Sequence, residues 1–179
     1  MTIFSEAFSL APALNLCGTG RQDCRDLHAW GPGVRPIYII HHVLRGKGFL
    51  ETRKMRFSIS AGESFLICPY ETVWYYPDPA DPWEYTWVEF DGAEAAALLQ
   101  ECAMSPASPV CPPFADTPLA AVFDRLQKID IYRKNRAEAQ GLLRAILGIY
   151  ADGFPASAQS IPQENELLST AIRLIRTNY

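Results

Sequence analysis

The hydrophobic pattern changes period once, at Asp91-Gly92, and that change constrains the fold more than any other feature of the chain. From about Leu14 to Phe90, apolar and polar residues alternate in short runs broken by Gly, Pro and Asp, the pattern of strands with one buried face. The candidate strands are Leu14 to Cys17, Cys24 to Trp30, Ile37 to Leu44, Gly48 to Arg53, Met55 to Ile59, Ser64 to Cys68, Thr72 to Tyr76 and Trp83 to Phe90. No helical stretch separates them, which argues against a parallel α/β sheet and for an antiparallel barrel or sandwich. Arg45-Gly46-Lys47-Gly48, Ala61-Gly62-Glu63 and Gly31-Pro32-Gly33 read as turns.

Beyond Gly92 the period is 3.6. Ala93 to Cys102 is a short Ala/Leu-rich helix, ended by the proline-bearing loop from Ser105 to Pro113. Thr117-Pro118 reads as a helix opening, followed by Leu119, Val122, Phe123, Leu126 and Ile129 on one side. The next helix, roughly Arg133 to Tyr150, carries Ala139, Leu142, Leu143, Ile146, Leu147 and Tyr150 on one face. These two helices are expected to form an antiparallel hairpin, with Leu142, Leu143, Ile146 and Leu147 as candidates for pairing with a second copy of the chain. The small, polar, proline-bearing stretch at 153–162 reads as a linker. The last amphipathic run, 163–179, reads as the opening of a further domain; docking back onto the preceding elements is the alternative.

Charge narrows the function classes. Among 179 residues, 16 Lys and Arg face 20 Asp and Glu, and the sequence pI is about 5.4. Without a basic stretch, this portion lacks the electrostatic footprint that holds proteins on a phosphate backbone or an anionic membrane. No apolar run approaches the roughly 20 residues of a membrane-spanning helix. With no Lys or Arg before Arg21, the N-terminus does not read as a secretory signal, so a cytoplasmic location is expected. The five cysteines (17, 24, 68, 102 and 111) include no Cys-x-x-Cys and read as reduced packing residues.

Little in the sequence suggests reaction chemistry. His41 and His42 are adjacent on one strand and so point to opposite faces; with His28 they are the three histidines of the chain, and no metal site is expected from them. There is no Gly-x-Ser-x-Gly and no marked nucleophile. No cofactor is implied and no enzymatic activity is expected. The informative set is aromatic: Trp74, Tyr75 and Tyr76 on one strand, then Trp83, Tyr85 and Trp87 with Glu89 along one face of the next, opposite Thr86, Val88 and Phe90. Tyr and Trp bring polar tips that need partners when buried, and their faces stack on the CH faces of a sugar or a planar metabolite. The alternative is that they simply fill the interior.

Several residues together carry a family resemblance. His28, Gly31-Pro32, Arg35, Tyr38, Val43-Leu44, Gly46 and Gly48, then Ala61-Gly62-Glu63, Phe65-Leu66 and Pro69, then Tyr75-Tyr76-Pro77 and Trp83-x-Tyr85-x-Trp87-Val88-x-Phe90, resemble the N-terminal effector-binding domain of AraC-family transcriptional regulators. Leu168, Ala171, Ile175 and Asn178-Tyr179 are similar to the first helix of that family's DNA-binding domain. The resemblance implies an antiparallel cupin-like (jelly-roll) β-barrel at 14–90 that binds a small effector, often a sugar, behind an N-terminal arm at 1–13. It further implies a helical dimerisation segment at 91–152 that makes a homodimer, and a C-terminal helix-turn-helix domain, mostly missing here, that binds DNA. Carried over by position, Tyr76, Tyr85 and Trp87 would touch the effector, with Trp87 as the stacking platform; Tyr85 stands where the arabinose-binding members have histidine. Arg35 would supply the guanidinium, with Trp74 and His28 nearby. The competing class is a metal-dependent cupin enzyme, an isomerase or oxygenase.

Overall fold

The computed structural model describes residues 13–114, 117–130 and 135–153. The strands are β1 (Asn15–Asp23), β2 (Trp30–Val34), β3 (Tyr38–Arg45), β4 (Lys47–Thr52), β5 (Arg56–Ser60), β6 (Ser64–Ile67), β7 (Thr72–Pro77), β8 (Glu84–Asp91) and β9 (Val110–Cys111). The helices are α1 (Ala95–Glu101), α2 (Leu119–Gln127) and α3 (Arg136–Gly153). The expected N-terminal arm, apart from Ala13, and the expected linker and terminal helix, apart from Gly153, lie outside the described residues.

The strands form two antiparallel sheets, ordered β1-β8-β3-β6-β9 and β2-β7-β4-β5. Ile39, Val43, Phe65, Ile67 and Tyr85 of the first sheet meet Leu50, Ile59, Val73 and Tyr75 of the second in one buried cluster. The arrangement is thus an open jelly-roll sandwich, not a closed barrel. The opposite face of the five-stranded sheet, through Ile40, Leu66, Val88 and Phe90, packs on the helices in a second cluster. Alternation divides β8 as its sequence suggests: Tyr85 and Trp87 enter the first cluster, Val88 and Phe90 the second.

Several boundaries differ from the sequence reading, among them β9 (Val110–Cys111), which pairs with β6 inside the expected loop from Ser105 to Pro113. The expected strand from Cys24 to Trp30 is a turn, with Leu27 N–H donating to the Cys24 carbonyl, His28 N–H to the Asp26 carboxylate and Leu27 at a positive φ of 60°. Pairing here belongs instead to β1, which runs on through Gly18 and Gly20 to Asp23. Gly31-Pro32-Gly33, expected as a turn, lies inside β2 at an irregularity in its pairing with β7.

The helices follow their apolar stripes. The Thr117 hydroxyl accepts from Leu119 N–H at the start of α2. Leu119, Phe123 and Leu126 then point inward beside Ala139, Leu143, Ile146, Leu147 and Tyr150 of α3. Burial of a Leu or Phe side chain of this kind is worth about 1.5–3 kcal/mol. Leu143, Ile146 and Leu147, expected at a subunit interface, have exposures of 0%, 0% and 1% within the single chain. Their stripe is therefore used to hold α3 onto its own sheet and helices, and of the four expected residues Leu142 alone is only partly buried.

Candidate functional site

The interior between the sheets is packed with aromatic rings, and its character changes along its length. Toward one end, Trp83 is fully buried, stacked on Phe65 at 5.6 Å and lying over Gly48, where a Cβ would come within 2.4 Å of the indole. Toward the other end stand Trp87, Glu89, Trp30 and Arg35, all partly exposed. Trp83, Trp87, Trp30 and Glu89 each rest on a glycine. A Cβ on Gly20 would meet Trp87 at 2.2 Å, one on Gly33 would meet Trp30 at 2.8 Å, and one on Gly18 would meet a Glu89 carboxylate oxygen at 2.7 Å. These strand glycines are the bare surface on which the rings lie.

His41 sits at the centre of this set. Its ring stacks on Phe65 at 4.5 Å with 6° between planes, meets Tyr75 and the edge of Tyr85 at 5.0 Å each, and lies 6.1 Å from Trp87. It is 2% exposed, and its Nδ1 has no hydrogen-bond partner. Burial, reinforced by the nearby Arg35 cation, lowers its pKa to about 3, so the imidazole is neutral at physiological pH. The Arg35 guanidinium lies over Trp30, 4.7 Å from the ring centroid, and its Nε is also buried without a partner. Trp83 Nε1 is a third such atom. Burial pushes the Tyr75 phenol up to about 12 and the Tyr85 phenol higher still, so both remain neutral phenols.

The structure brings together Arg35, Tyr85 and Trp87 of the sequence candidates and separates the other three. Trp74 and Tyr76 point away from the interior, because alternation on β7 turns Tyr75 inward and its two neighbours outward. On the outer face Tyr76 donates to Glu51 at 2.6 Å, packs against Trp74 and Phe49 at 4.5 and 5.4 Å, and meets the Arg56 guanidinium at 5.8 Å. His28 is exposed in the turn before β2. The sequence reading does not place Trp30, Tyr75, Glu89 or, above all, His41 among the effector-contacting residues. The signal available for His41 was its place two strand positions from Val43 on a face that had to be apolar.

The opposite face of β3 is wired differently. The His42 Nδ1 and Ser64 Oγ are 2.9 Å apart, and the Tyr150 hydroxyl of α3 donates to the same oxygen at 2.7 Å. Behind Trp87, the Gln127 side-chain amide at the end of α2 donates to Thr19 Oγ1 at 2.5 Å and to the Gly20 carbonyl at 2.9 Å. The helices therefore grip the backbone on which the Trp87 ring lies. A separate cleft of about 410 Å³ is lined by Thr52, Met55, Phe57, Cys68, Val73 and Pro109 among others, and holds none of the three unpartnered buried atoms. Among the described residues no group of three or more His, Cys, Asp and Glu is placed to hold a metal ion, and no helix is long and apolar enough to cross a membrane.

With this geometry in view, comparison with known proteins is decisive. A family profile described as the AraC-like ligand binding domain matches residues 18–164. The chain belongs to this family. The AraC-like domain is 29% identical over 128 residues to the Msm operon regulatory protein of Streptococcus mutans serotype c, covering 64% of this chain and 46% of that protein. It is 30% identical over 88 residues to the raffinose operon transcriptional regulatory protein RafR of Pediococcus pentosaceus, covering 48% of this chain and 32% of that one. The chain thus spans less than half the length of the curated relatives it matches. Among solved structures, apo ToxT from Vibrio cholerae is similar with a TM-score of 0.54 at 8% identity, over 94% of this chain and 66% of that one, a likeness of fold alone.

Proposed function

We propose that this AraC-like ligand-binding domain is the effector-sensing part of a cytoplasmic, one-component transcriptional regulator, and that its effector is a sugar or sugar derivative held between the two sheets. The observation that carries this reading is the ring-lined end of the sandwich, where Trp87 stands beside the Arg35-covered Trp30 and where Arg35, His41 and Glu89 offer polar groups. Such a mixture suits a ligand with apolar CH faces and hydroxyls at its rim. The names of the two relatives, a raffinose operon regulator among them, point the same way.

The domain has no catalytic role in this reading. Neutral phenols, a neutral imidazole and a guanidinium bind and orient a ligand without activating a nucleophile. Effector binding would act on output through the helices: α2 reaches the Gly20 backbone behind Trp87, and α3 leads toward the expected linker. Coupling of this kind requires that the effector contact two states of the domain differently. Two copies pair through the helical segment, with Leu142 at the contact and the remaining stripe internal, and DNA is bound by the regulator's helix-turn-helix domain, not by this acidic portion.

The test is calorimetric titration of the purified chain with raffinose, melibiose, galactose and arabinose. At least one is expected to bind, and to bind without added metal. Binding that appears only with a stoichiometric divalent metal would favour the cupin-enzyme reading instead.

A further inference from the structure

Two buried histidines, adjacent in sequence, differ in one respect that the fold does not explain. His42 is satisfied by Ser64 on the helix side, whereas His41, more deeply buried at 2% exposure, leaves Nδ1 without a partner. Buried polar atoms in native proteins are nearly always paired, and a core position of this kind is normally filled by an aliphatic or phenyl group. His41 is also held still: Phe65 lies parallel to it at 4.5 Å while Tyr75 and Tyr85 close on it at 5.0 Å. A fixed imidazole with a buried, unpaired nitrogen, its ring 6.1 Å from Trp87 and near a cation whose own Nε is also unpaired, has the form of a recognition group awaiting its partner.

We propose that His41 is the specificity-determining residue of the inter-sheet site, where its free ring nitrogen, together with Arg35 Nε, hydrogen-bonds hydroxyls of an uncharged sugar ring seated against Trp87. The inference rests on the sugar reading of the site and adds to it the group that reads the ligand and the charge class of that ligand. A neutral imidazole has one donor and one acceptor, matching a hydroxyl, which is both. The groups facing this space are the Arg35 cation, the Glu89 carboxylate and the Tyr75 and Tyr85 phenols, so one positive and one negative group already balance. An added ligand charge would leave that balance, and His41, held neutral, supplies none to offset it. A site built to bond a hydroxyl also rejects the analogue that lacks it, because the orphaned nitrogen then stays orphaned.

The test pairs a stability measurement that needs no ligand with a binding measurement that does. His41→Phe keeps the stack on Phe65 and removes both nitrogens. The proposal expects this variant to melt higher than the parent, by roughly 2–4 °C, as an unpaired buried polar atom is eliminated. It also expects about a tenfold or greater loss of affinity for raffinose or galactose, and weaker binding of galacturonate than of galactose by the parent chain. A lower melting temperature for His41→Phe makes His41 a structural residue and overturns the proposal, as does unchanged sugar affinity in a well-folded variant. Preference of the parent for galacturonate overturns the uncharged class. No binding of any of these sugars by the parent overturns the sugar reading beneath the proposal, a failure distinct from loss of the role of His41 alone.

Discussion

The two faces of strand β3 make an instructive pair. His42 faces the helices, where Ser64 and Tyr150 complete a buried hydrogen-bonded chain and the Phe123 ring lies parallel to the imidazole at 5.9 Å. His41, one residue earlier, faces the space between the sheets, surrounded by rings but unpaired at Nδ1. Among the described residues the helix face keeps no unpaired buried polar side-chain atom, and its stripe is internal apart from the partly buried Leu142. The inner face keeps unpaired polar atoms on His41 and Arg35, toward the end where Trp87, Trp30 and Arg35 are partly exposed. Stability and recognition are thus divided between opposite sides of one sheet, and positions that depart from packing rules fall on the recognition side.

The largest effect expected from this division is acid sensitivity. Burial holds His42 down to about 4, and burial together with Arg35 holds His41 down to about 3, whereas both titrate near 6.5 in the unfolded chain. Their contribution to stability is present above pH 6.5. It is lost as pH falls toward 4 and then 3, because the unfolded chain takes up protons that the folded chain refuses. The combined loss is on the order of several kcal/mol, read by urea denaturation from pH 7 to 4, and His41→Phe is expected to remove one proton from the slope. A flat profile over that range would break the claim that both imidazoles are buried in neutral form.

Next in size is a cavity on the helix side. Phe123 is 0% exposed between α3 and the sheet, so Phe123→Ala is expected to lower stability by about 3–5 kcal/mol without altering the inner face directly. Smaller still is Tyr150→Phe, which removes the 2.7 Å bond to Ser64 while His42 keeps its own contact with that oxygen. A cost of about 1 kcal/mol is expected from chemical denaturation. A cost near zero would show that the network on the helix side is less complete than its geometry suggests, and would narrow the contrast between the faces.

Much of this division was legible in the sequence. The period change at Gly92, the inward run of Tyr85, Trp87 and Glu89 and the apolar stripes of α2 and α3 follow from residue spacing alone. The site was legible only in part. Alternation says that Tyr75 opposes Trp74 and Tyr76, but not which side faces inward, and the inward choice is the single ring. The roles of Gly18, Gly20 and Gly33 depend on which strand lies across from which, and pairing register is not written in any one strand. Leu143, Ile146 and Leu147 show why a stripe does not name its partner, since the same pattern serves a neighbouring helix or a neighbouring subunit. His41 figures in the sequence reading only as a candidate metal ligand, because a strand histidine becomes informative as a binding group only when its nitrogen is found unpaired.

The comparison of inner and outer aromatic surfaces gives the most direct test of where the effector sits. Trp87 lies inside over Gly20, while Trp74, 37% exposed, lies on the outer face of the other sheet beside Tyr76. Affinity for whichever sugar binds the parent chain should be measured by calorimetry for Trp87→Ala and Trp74→Ala side by side. A loss of about tenfold or more in Trp87→Ala, with Trp74→Ala unchanged, is the expected result. Loss of binding in Trp74→Ala with Trp87→Ala intact would place the effector on the outer face and contradict the account.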